Sequence, residues 1–426
     1  MWLVCYFWNM KRLLISAALL SSFASAQIAL LPLDSRPVNR VYPVKLASLK
    51  DKETRVLPWY RLGRGQTSGD IEIMHEWIMQ QTDAEVLIVS LDSVAYGGLV
   101  QSRGVDLPAE TAIERLKVVR EWKEKTGKPV YASITIPRHP DAKFRERNLT
   151  VIREMMQWAK EGVFTDLRVT WDDAVTGSPA VKEAESLKPL LAPNIRLYPG
   201  ADEVASALVA SYLSPEPRTL RVVFSDPAKA KEVIKYDGLP LIDSVKLHAG
   251  SVGFQVVEEN ADLTLFVFNG SKQDPRFTAI ALNRLSGPLS VVDINRVNQG
   301  TVRLWKDLTT LKRTPDLMSL SGWGTPGNNL GTALAHAKLA LSGVDPEKQQ
   351  ETLAYEYAND VLFSALLRPD IRKHFQENQM GSKEAWEYLQ KVIPELKLFS
   401  GYVIKGAGLP WDRSFEWEFD VEKAEP

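Results

Sequence analysis

The feature that most constrains the fold of this sequence is an alternation of short apolar runs with longer amphipathic segments. Short apolar runs bounded by turn residues predict buried strands, and strands separated by helices at intervals of roughly 30 residues predict the βα units of a parallel sheet. Right-handed crossovers would then place every loop that follows a strand on the same side. The first six runs lie at residues 28–33, 54–58, 85–91, 130–136, 167–171 and 195–199.

A second series of the same kind follows Ser214-Pro215-Glu216-Pro217, which we interpret as a linker. Its apolar runs lie at residues 220–224, 263–268, 289–292 and 317–320. Elsewhere in the chain, helices are predicted at 109–125, 143–161, 346–375 and near 383–393. The alternating tail at 414–422 predicts an edge strand. The predicted domains are 27–214 and 215–345, both α/β, and 346–426, a helical extension ending in that edge strand.

These runs predict an α/β fold with parallel strands, and two architectures fit them. One is a pair of α/β lobes with a site in the cleft between them, which the proline-rich break near residue 215 favours. The other is a (β/α)8-type barrel made of the first eight or so strands, followed by a C-terminal extension. Both architectures bring the same loops together.

Residues 1–26 predict a secretory signal peptide. Met10-Lys11-Arg12 precedes a short apolar segment that ends in Ala24-Ser25-Ala26, a small-residue cleavage site before Gln27. The apolar segment is too short to span a bilayer comfortably, so we expect no stable membrane insertion after cleavage. The mature protein is therefore expected to be exported, either to the periplasm or outside the cell. Translation could begin at Met1 or at Met10.

Charge and cysteine content exclude several classes of function. The formal net charge is −1, and loss of residues 1–26 would leave 50 basic against 53 acidic side chains. Without a basic surplus, neither nucleic acid nor an anionic membrane surface is an expected partner. The only cysteine, Cys5, lies in the predicted signal. The mature chain would therefore contain no disulfide, thiol nucleophile or cysteine metal site.

Four acidic residues at the ends of two neighbouring predicted strands are the candidate catalytic residues. The run at 167–171 ends in Asp172 and Asp173, and the run at 195–199 is followed by Asp202 and Glu203. The carboxyl ends of parallel strands carry the chemistry in α/β enzymes. Adjacent residues of an extended segment point to opposite sides, so only one of the first pair would face a substrate unless the backbone turns. Turn and helix capping are the structural alternatives for all four.

Other polar and aromatic residues follow predicted strands on the same side and are candidate substrate-binding residues. Singly, each is as well explained as a solvated loop residue, an ion-pair partner or a helix cap; together they favour a small-molecule or glycan pocket. The glycines after Tyr96 would also let the backbone approach a ligand closely. The candidates are Asp34, Arg36, Asp92, Tyr96, Arg138, His139, Trp323, Asn328 and Asn329.

Five stretches resemble the motifs of a bacterial family known only as domain of unknown function 4127. The stretches are PLDSRP at 32–37, LDSVAYGGLVQSR at 91–103, DDAVTG at 172–177, GADE at 200–203 and GWGTPGNNLG at 322–331. Gly324 stands where the family pattern has asparagine, which puts any ligand contact by that asparagine in doubt here. The resemblance implies no particular activity.

Paired carboxylates on an exported chain favour a hydrolase acting on a glycan as the leading hypothesis. Asp173 is then expected to be the nucleophile, the base or a group that orients an acetamido substituent, and Glu203 the general acid. GADE resembles the Gly-x-Asp-Glu stretch at the site of some hexosaminidases, in which the Glu is the general acid.

Two other hypotheses remain open. A metal-assisted hydrolase could hold Mg²⁺ or Ca²⁺ on Asp34, Asp92 and Asp172, although the histidines show no metal-binding spacing. A non-catalytic protein could close two lobes on a small ligand. No cofactor is expected, because the glycine-rich stretch at 322–331 lacks the lysine of a phosphate-binding loop and the spacing of a dinucleotide fingerprint. No G-x-S-x-G motif supports a Ser-His-Asp triad.

The signal peptide leads to the first testable prediction. When the whole chain is expressed in a Gram-negative host, we expect the periplasmic fraction to contain a product that starts at Gln27, because signal peptidase cleaves after the small residues at Ala24 and Ala26. Intact-mass measurement and N-terminal sequencing check this. Replacing Ala24 and Ala26 with bulky residues should block cleavage. A cytoplasmic product that keeps residues 10–26 would contradict the prediction.

Overall fold

The computed structural model describes residues 27–139, 143–270, 275–399 and 401–424. The predicted signal peptide lies outside these residues. No helix in the described ranges combines the length and apolarity needed to cross a bilayer.

The first lobe is built on a six-stranded sheet in which every strand pair is parallel. Its strands are β1 Gln27–Leu31, β2 Glu53–Val56, β3 Val86–Ser90, β4 Val130–Ile136, β5 Asp166–Trp171 and β6 Ile195–Pro199. Its helices are α1 Pro37–Ser48, α2 Ile71–Gln80, α3 Leu91–Tyr96, α4 Leu99–Gly104, α5 Ala109–Thr126, α6 Arg145–Lys160, α7 Ala180–Leu187 and α8 Val204–Leu213, with 3₁₀ turns at Trp59–Arg61 and Lys188–Leu190. The spatial order of the strands is β2-β1-β3-β4-β5-β6.

The second lobe is built on a separate five-stranded parallel sheet. Its strands are β7 Arg218–Phe224, β8 Phe254–Val256, β9 Leu263–Phe268, β10 Leu289–Asp293 and β11 Leu317–Ser321. Its helices are α9 Leu241–Ser251, α10 Pro275–Asn283, α11 Val302–Thr310 and α12 Pro326–Ala340, with 3₁₀ turns at Pro227–Lys231 and Thr314–Asp316. The spatial order is β11-β10-β9-β7-β8.

Both sheets share one winding pattern. In each, the second strand of the lobe lies outside the first and the later strands extend on the other side, which is the doubly wound arrangement. The α/β prediction with two lobes is therefore confirmed. The barrel alternative is wrong, because among the described residues the two sheets are open and no strand pairs one with the other.

The remaining chain forms a helical segment and a hairpin. The helices are α13 Pro346–Tyr357, a π-helix at Ala358–Leu367, α14 Arg368–His374 and α15 Lys383–Val392, with 3₁₀ turns at Glu377–Gln379 and Ile393–Glu395. Strands β12 Tyr402–Gly408 and β13 Glu418–Lys423 pair antiparallel. The tail is a strand, as its alternation predicts. In contrast, β8 and β12 have no strand pattern in the sequence, and nothing in the sequence distinguishes the π-helical turns from an α-helix.

Apolar side chains fill both faces of the first sheet, as expected for a parallel sheet covered by helices. In β1, Ala29 and Leu31 enter one cluster with α2, α5 and α6, while Ile28 and Leu30 enter another on the opposite face. The cluster that contains Ile28 and Leu30 continues through α8 and β9–β11 to the C-terminal hairpin. The lobes therefore share one continuous apolar core.

Two glycines let helix α12 of the second lobe pack closely, Gly331 against the first lobe and Gly327 against the loop that precedes α9. A Cβ at Gly331 would lie 2.2 Å from Cγ of Glu203, and a Cβ at Gly327 would lie 3.1 Å from Oδ1 of Asp237. All residues of α12 are buried. The absence of a side chain at Gly331 sets how closely this helix approaches the acidic loop after β6.

Gly331→Ala should destabilise the protein by about 1–3 kcal/mol, because the added methyl group overlaps the buried Glu203 side chain. Chemical denaturation monitored by circular dichroism measures the change. Gly250→Ala in α9 is the matched control: no atom lies within 4 Å of the added Cβ, so stability should stay the same or rise slightly. Equal stability of the two variants would contradict the packing argument.

Candidate functional site

A cleft of about 960 Å³ lies where loops of both lobes and of the C-terminal hairpin meet. The loops of the first lobe that reach it follow the carboxyl ends of its strands, and those of the second lobe follow β7, β10 and β11. Seven of the residues singled out from the sequence line it: Arg36, Arg138, Asp172, Asp173, Asp202, Trp323 and Asn328. The cleft is therefore the candidate site.

Asp172 and Asp173 both line the cleft because the backbone turns between them. Asp173 has a φ of 28°, in the left-handed region that costs energy for a residue with a Cβ. Asp172 Oδ2 accepts a hydrogen bond from Arg103 Nη2 at 2.6 Å, and Asp173 Oδ2 lies 3.3 Å from Arg138 Nη1. The turn thus presents two adjacent carboxylates, each beside its own guanidinium group.

The environment of Asp173 favours its protonated form. Burial raises the pKa of Asp173 to about 7, and the negative charge of Asp172 adds to the rise, whereas Arg138 opposes it. Its side chain keeps 23% of its surface exposed toward the cleft. A carboxyl group that is half protonated near neutral pH and open to a cleft can donate or accept a proton during a reaction.

Arg36 joins the ends of two strands at the floor of the cleft. Its Nε donates to both carboxylate oxygens of Asp34 at 3.0 and 2.9 Å, and its Nη1 donates to Asp202 Oδ2 at 2.7 Å. Burial alone would lower the pKa of Arg36, but the charges of Asp202 and Asp34 outweigh it and raise that pKa well above its usual range. Arg36 therefore stays charged and ties the loop after β1 to the loop after β6.

Glu203 points away from the cleft. It is fully buried and does not line the cavity, and its Oε2 accepts a hydrogen bond from Ala201 N at 3.1 Å. Burial raises its pKa well above the usual range. Its Oε1 lies 3.9 Å from Nε2 of His248, a buried imidazole whose pKa burial lowers to about 4. Glu203 is thus an interior group whose carboxyl orders the turn preceding Asp202.

Four further candidates lie away from the cleft. Asp92 is fully buried, accepts a hydrogen bond from Thr135 N at 3.0 Å, and burial raises its pKa to about 7. Tyr96 is buried beneath the guanidinium of Arg147. His139 is exposed and does not line the cavity.

Asn329, the fourth, is an internal cap. Its Oδ1 accepts from Gly324 N at 2.8 Å and its Nδ2 donates to Asp293 O at 3.0 Å. These contacts fit helix capping, the structural alternative considered from the sequence, better than they fit ligand binding.

The second lobe contributes Trp323 and Asn328 to the cleft wall. Asn328 Oδ1 lies 3.4 Å from Ala201 N and 3.3 Å from Asp202 N, so it bonds to the loop that carries Asp202. Gly324 also lines the cavity, and a Cβ there would lie 3.1 Å from Cβ of Asn328. An asparagine at this position would therefore project beside Asn328 at the cleft.

Several lining residues were not singled out from the sequence. Arg103 closes the LDSVAYGGLVQSR stretch and could have been found as the charged end of that motif. The others have no local signal, because distant segments bring them together. They are Lys143 and Tyr236, Asn298, and the hairpin residues Trp411, Arg413 and Phe415.

No group of three or more His, Cys, Asp or Glu side chains in the described ranges is arranged to hold a metal ion. The three cleft aspartates each contact an arginine instead: Asp172 with Arg103, Asp173 with Arg138 and Asp202 with Arg36. A cation at these carboxylates would have to displace or repel those guanidinium groups.

Comparison with known proteins identifies the family of this chain. The model of the family described as "Protein of unknown function (DUF4127)" matches residues 28–144 and 142–420. No match was found among curated proteins.

Solved structures show only faint likeness. The 3-keto-D-glucoside 4-epimerase YcjR from E. coli is 13% identical, with 66% of this chain and 98% of that chain covered and a TM-score of 0.18. A β-glucosidase from Thermotoga maritima is 9% identical, with 72% and 90% covered and a TM-score of 0.17. The homocysteine methyltransferase MmuM from E. coli is 13% identical, with 76% and 98% covered and a TM-score of 0.16.

Arg36→Met should lower the free energy of unfolding by about 3–5 kcal/mol, because it leaves Asp34 and Asp202 buried without their cation. Urea denaturation measures the loss. Arg61→Met is the matched control: its ion pair with Asp70 is 46% and 38% exposed, and removing such a pair should cost less than about 1 kcal/mol. A small effect at Arg36 would contradict its role as the link between the two strand ends.

Proposed function

This chain belongs to the DUF4127 family of proteins of unknown function, and we propose that it is a hydrolase that cleaves a glycan or glycoside in the interlobe cleft. The observation that carries the proposal is the pair Asp172–Asp173: adjacent carboxylates on a turned backbone, both lining the cleft, one of them with its pKa raised to about 7. Glycoside hydrolysis requires one protonated and one ionised carboxyl group at the scissile bond.

In the proposed reaction Asp173 is the general acid. It gives its proton to the glycosidic oxygen as the bond between that oxygen and the anomeric carbon breaks, so the leaving sugar departs as an alcohol. Asp172, whose negative charge Arg103 stabilises, acts on the other side. It either removes a proton from the attacking water or forms the bond to the anomeric carbon that water later hydrolyses. In both cases, one water is consumed and one glycosidic bond is cleaved.

Other cleft residues would bind and orient the sugar. Trp323 and Trp411 offer aromatic surfaces to the apolar faces of pyranose rings, and Arg138 offers donors to hydroxyl groups. Asp202 and Asp34 act through Arg36, whose position they fix. Glu203, the general acid expected from the sequence, is assigned instead to ordering the turn at Ala201. We also propose that the protein acts after export, as its N-terminal sequence predicts.

Asp173→Asn should reduce kcat by about 10²- to 10⁴-fold, the usual contribution of a general acid. The sign of the pH dependence follows from the raised pKa. Because Asp173 must be protonated to act, the rate should fall as pH rises through about 7, and the variant should lose this descending limb. Asp83→Asn, which changes an exposed carboxylate paired with Arg55 outside the cleft, is the control and should leave the profile unchanged.

The activity test is release of reducing ends from a broad panel of glycans, including peptidoglycan, with and without EDTA. Release that survives EDTA and disappears in Asp172→Asn and Asp173→Asn would support the proposal. Loss of release with EDTA would favour a metal-assisted hydrolase instead. Activity that persists in both aspartate variants would contradict the assignment of the pair.

A second candidate is a non-catalytic protein that holds a small ligand between its lobes. Two observations favour it: both lobes have the same winding pattern around the cleft, and each cleft aspartate already contacts an arginine. Thermal stabilisation by a sugar that is never cleaved, with affinity unchanged in Asp173→Asn, would support this candidate over the hydrolase.

A further inference from the structure

The C-terminal hairpin lines a second cavity in addition to the cleft. This groove has a volume of about 560 Å³, and its walls come from three distant parts of the chain. Trp59, in the 3₁₀ turn after β2, lines one part, and Trp386, in α15, lines another. The hairpin supplies residues 406–410 and 418–420.

Both tryptophans are unusually open to solvent. Trp59 is 49% exposed and Trp386 is 53% exposed, although tryptophan side chains are on average largely buried. Each leaves roughly half of a large apolar ring in water, which costs free energy that burial against a ligand would recover. Two such rings lining the same groove mark it as a binding surface.

The groove also contains the polar groups that hydroxyl-rich ligands require. Glu418 and Asp420 of β13 line it together with Gln390 of α15. Glu418 forms an ion pair with Arg40, and Gln390 Nε2 donates to Ala407 O at 2.8 Å, so both side chains are held in place. Apolar rings combined with fixed carboxylate and amide groups match a pyranose, which has apolar CH faces and a rim of hydroxyl groups.

The groove and the cleft adjoin at two short stretches of the described chain, since Ser35 lines the groove and Arg36, the next residue, lines the cleft. The hairpin provides the other stretch. Leu409 and Pro410 line the groove, whereas Trp411, the next residue, lines the cleft. Trp411 Nε1 donates to Ser35 Oγ at 2.9 Å, and Ser35 itself lines the groove. The Trp411–Ser35 contact therefore lies where the groove and the cleft adjoin, and a chain molecule that extends beyond the cleft at this point would reach the groove.

We propose that this groove is a second carbohydrate-binding surface, which holds further pyranose units of the glycan chain that enters the cleft. The inference rests on the proposed function for the identity of the ligand and names its class as a polymer rather than a simple glycoside. Trp59 and Trp386 stack on the sugar rings, and Gln390, Glu418 and Asp420 accept or donate hydrogen bonds at the hydroxyl groups.

The experiment measures binding without cleavage, using the Asp173→Asn protein to keep the glycans intact. Isothermal titration calorimetry compares chitohexaose, cellohexaose, xylohexaose and mannohexaose with the corresponding disaccharides. We expect at least one hexasaccharide to bind. Adding Trp59→Ala and Trp386→Ala together should weaken that binding at least tenfold and leave disaccharide binding in the cleft unchanged.

Phe277→Ala provides the matched control, because Phe277 is 59% exposed and lines neither cavity. It should leave hexasaccharide affinity unchanged. Because the exchanged tryptophans are half exposed, the double variant should keep its melting temperature within a few degrees. Single Trp59→Phe and Trp386→Phe variants, which keep an aromatic ring, should retain most of the affinity.

Three results would overturn the proposal. They are no binding of any hexasaccharide, equal affinity in the presence and absence of the two tryptophans, or dissociation of a dimer by the double variant in sedimentation experiments, which would identify the groove as a contact between two copies of this chain. Failure of the proposed function looks different. In that case no glycan is cleaved by the unsubstituted protein, yet hexasaccharide binding still depends on Trp59 and Trp386.

Discussion

The buried contacts of Arg36 with Asp34 and Asp202 are the interaction on which the candidate site depends. The two carboxylates belong to loops that follow β1 and β6, and these strands do not pair with each other. A charged guanidinium group between them satisfies both and brings the loops to a fixed separation. Without that cation, the two buried negative charges would repel each other and push apart the two loops at the floor of the cleft. Asp202 also acts on the Asp172–Asp173 turn, because its negative charge contributes to the raised pKa of Asp173.

Local patterns predicted most of the fold. Val130–Ile136, Ile195–Pro199 and Leu263–Phe268 have the bounds expected from their apolar runs, because each run is flanked by polar or turn residues. Two strands carry no such run. β8 is only three residues long and has exposed positions, and β12 contains glycines, so neither carries a buried-strand pattern.

Local patterns predicted the candidate site less completely. That Asp172, Asp173 and Asp202 would meet followed from their places at strand ends. The sequence did not predict that Glu203 would point inward, because Asp202 and Glu203 are adjacent and equally acidic. What distinguishes them is Gly331 of α12, which leaves room for the Glu203 side chain in the interior. Trp411 and Arg413 approach the cleft through hairpin and helix packing over long chain separation, for which a single sequence offers no signal.

The continuous core has a mechanical consequence. Apolar side chains of β1, α8 and β9–β11 form one cluster, and Asn328 of the second lobe bonds to the backbone at Ala201 and Asp202 of the first. A wide hinge motion would separate the apolar side chains of this shared core and expose them to water. If the cleft binds a ligand as proposed, entry and release would therefore depend on side chains and loops at the rim rather than on a separation of the two lobes.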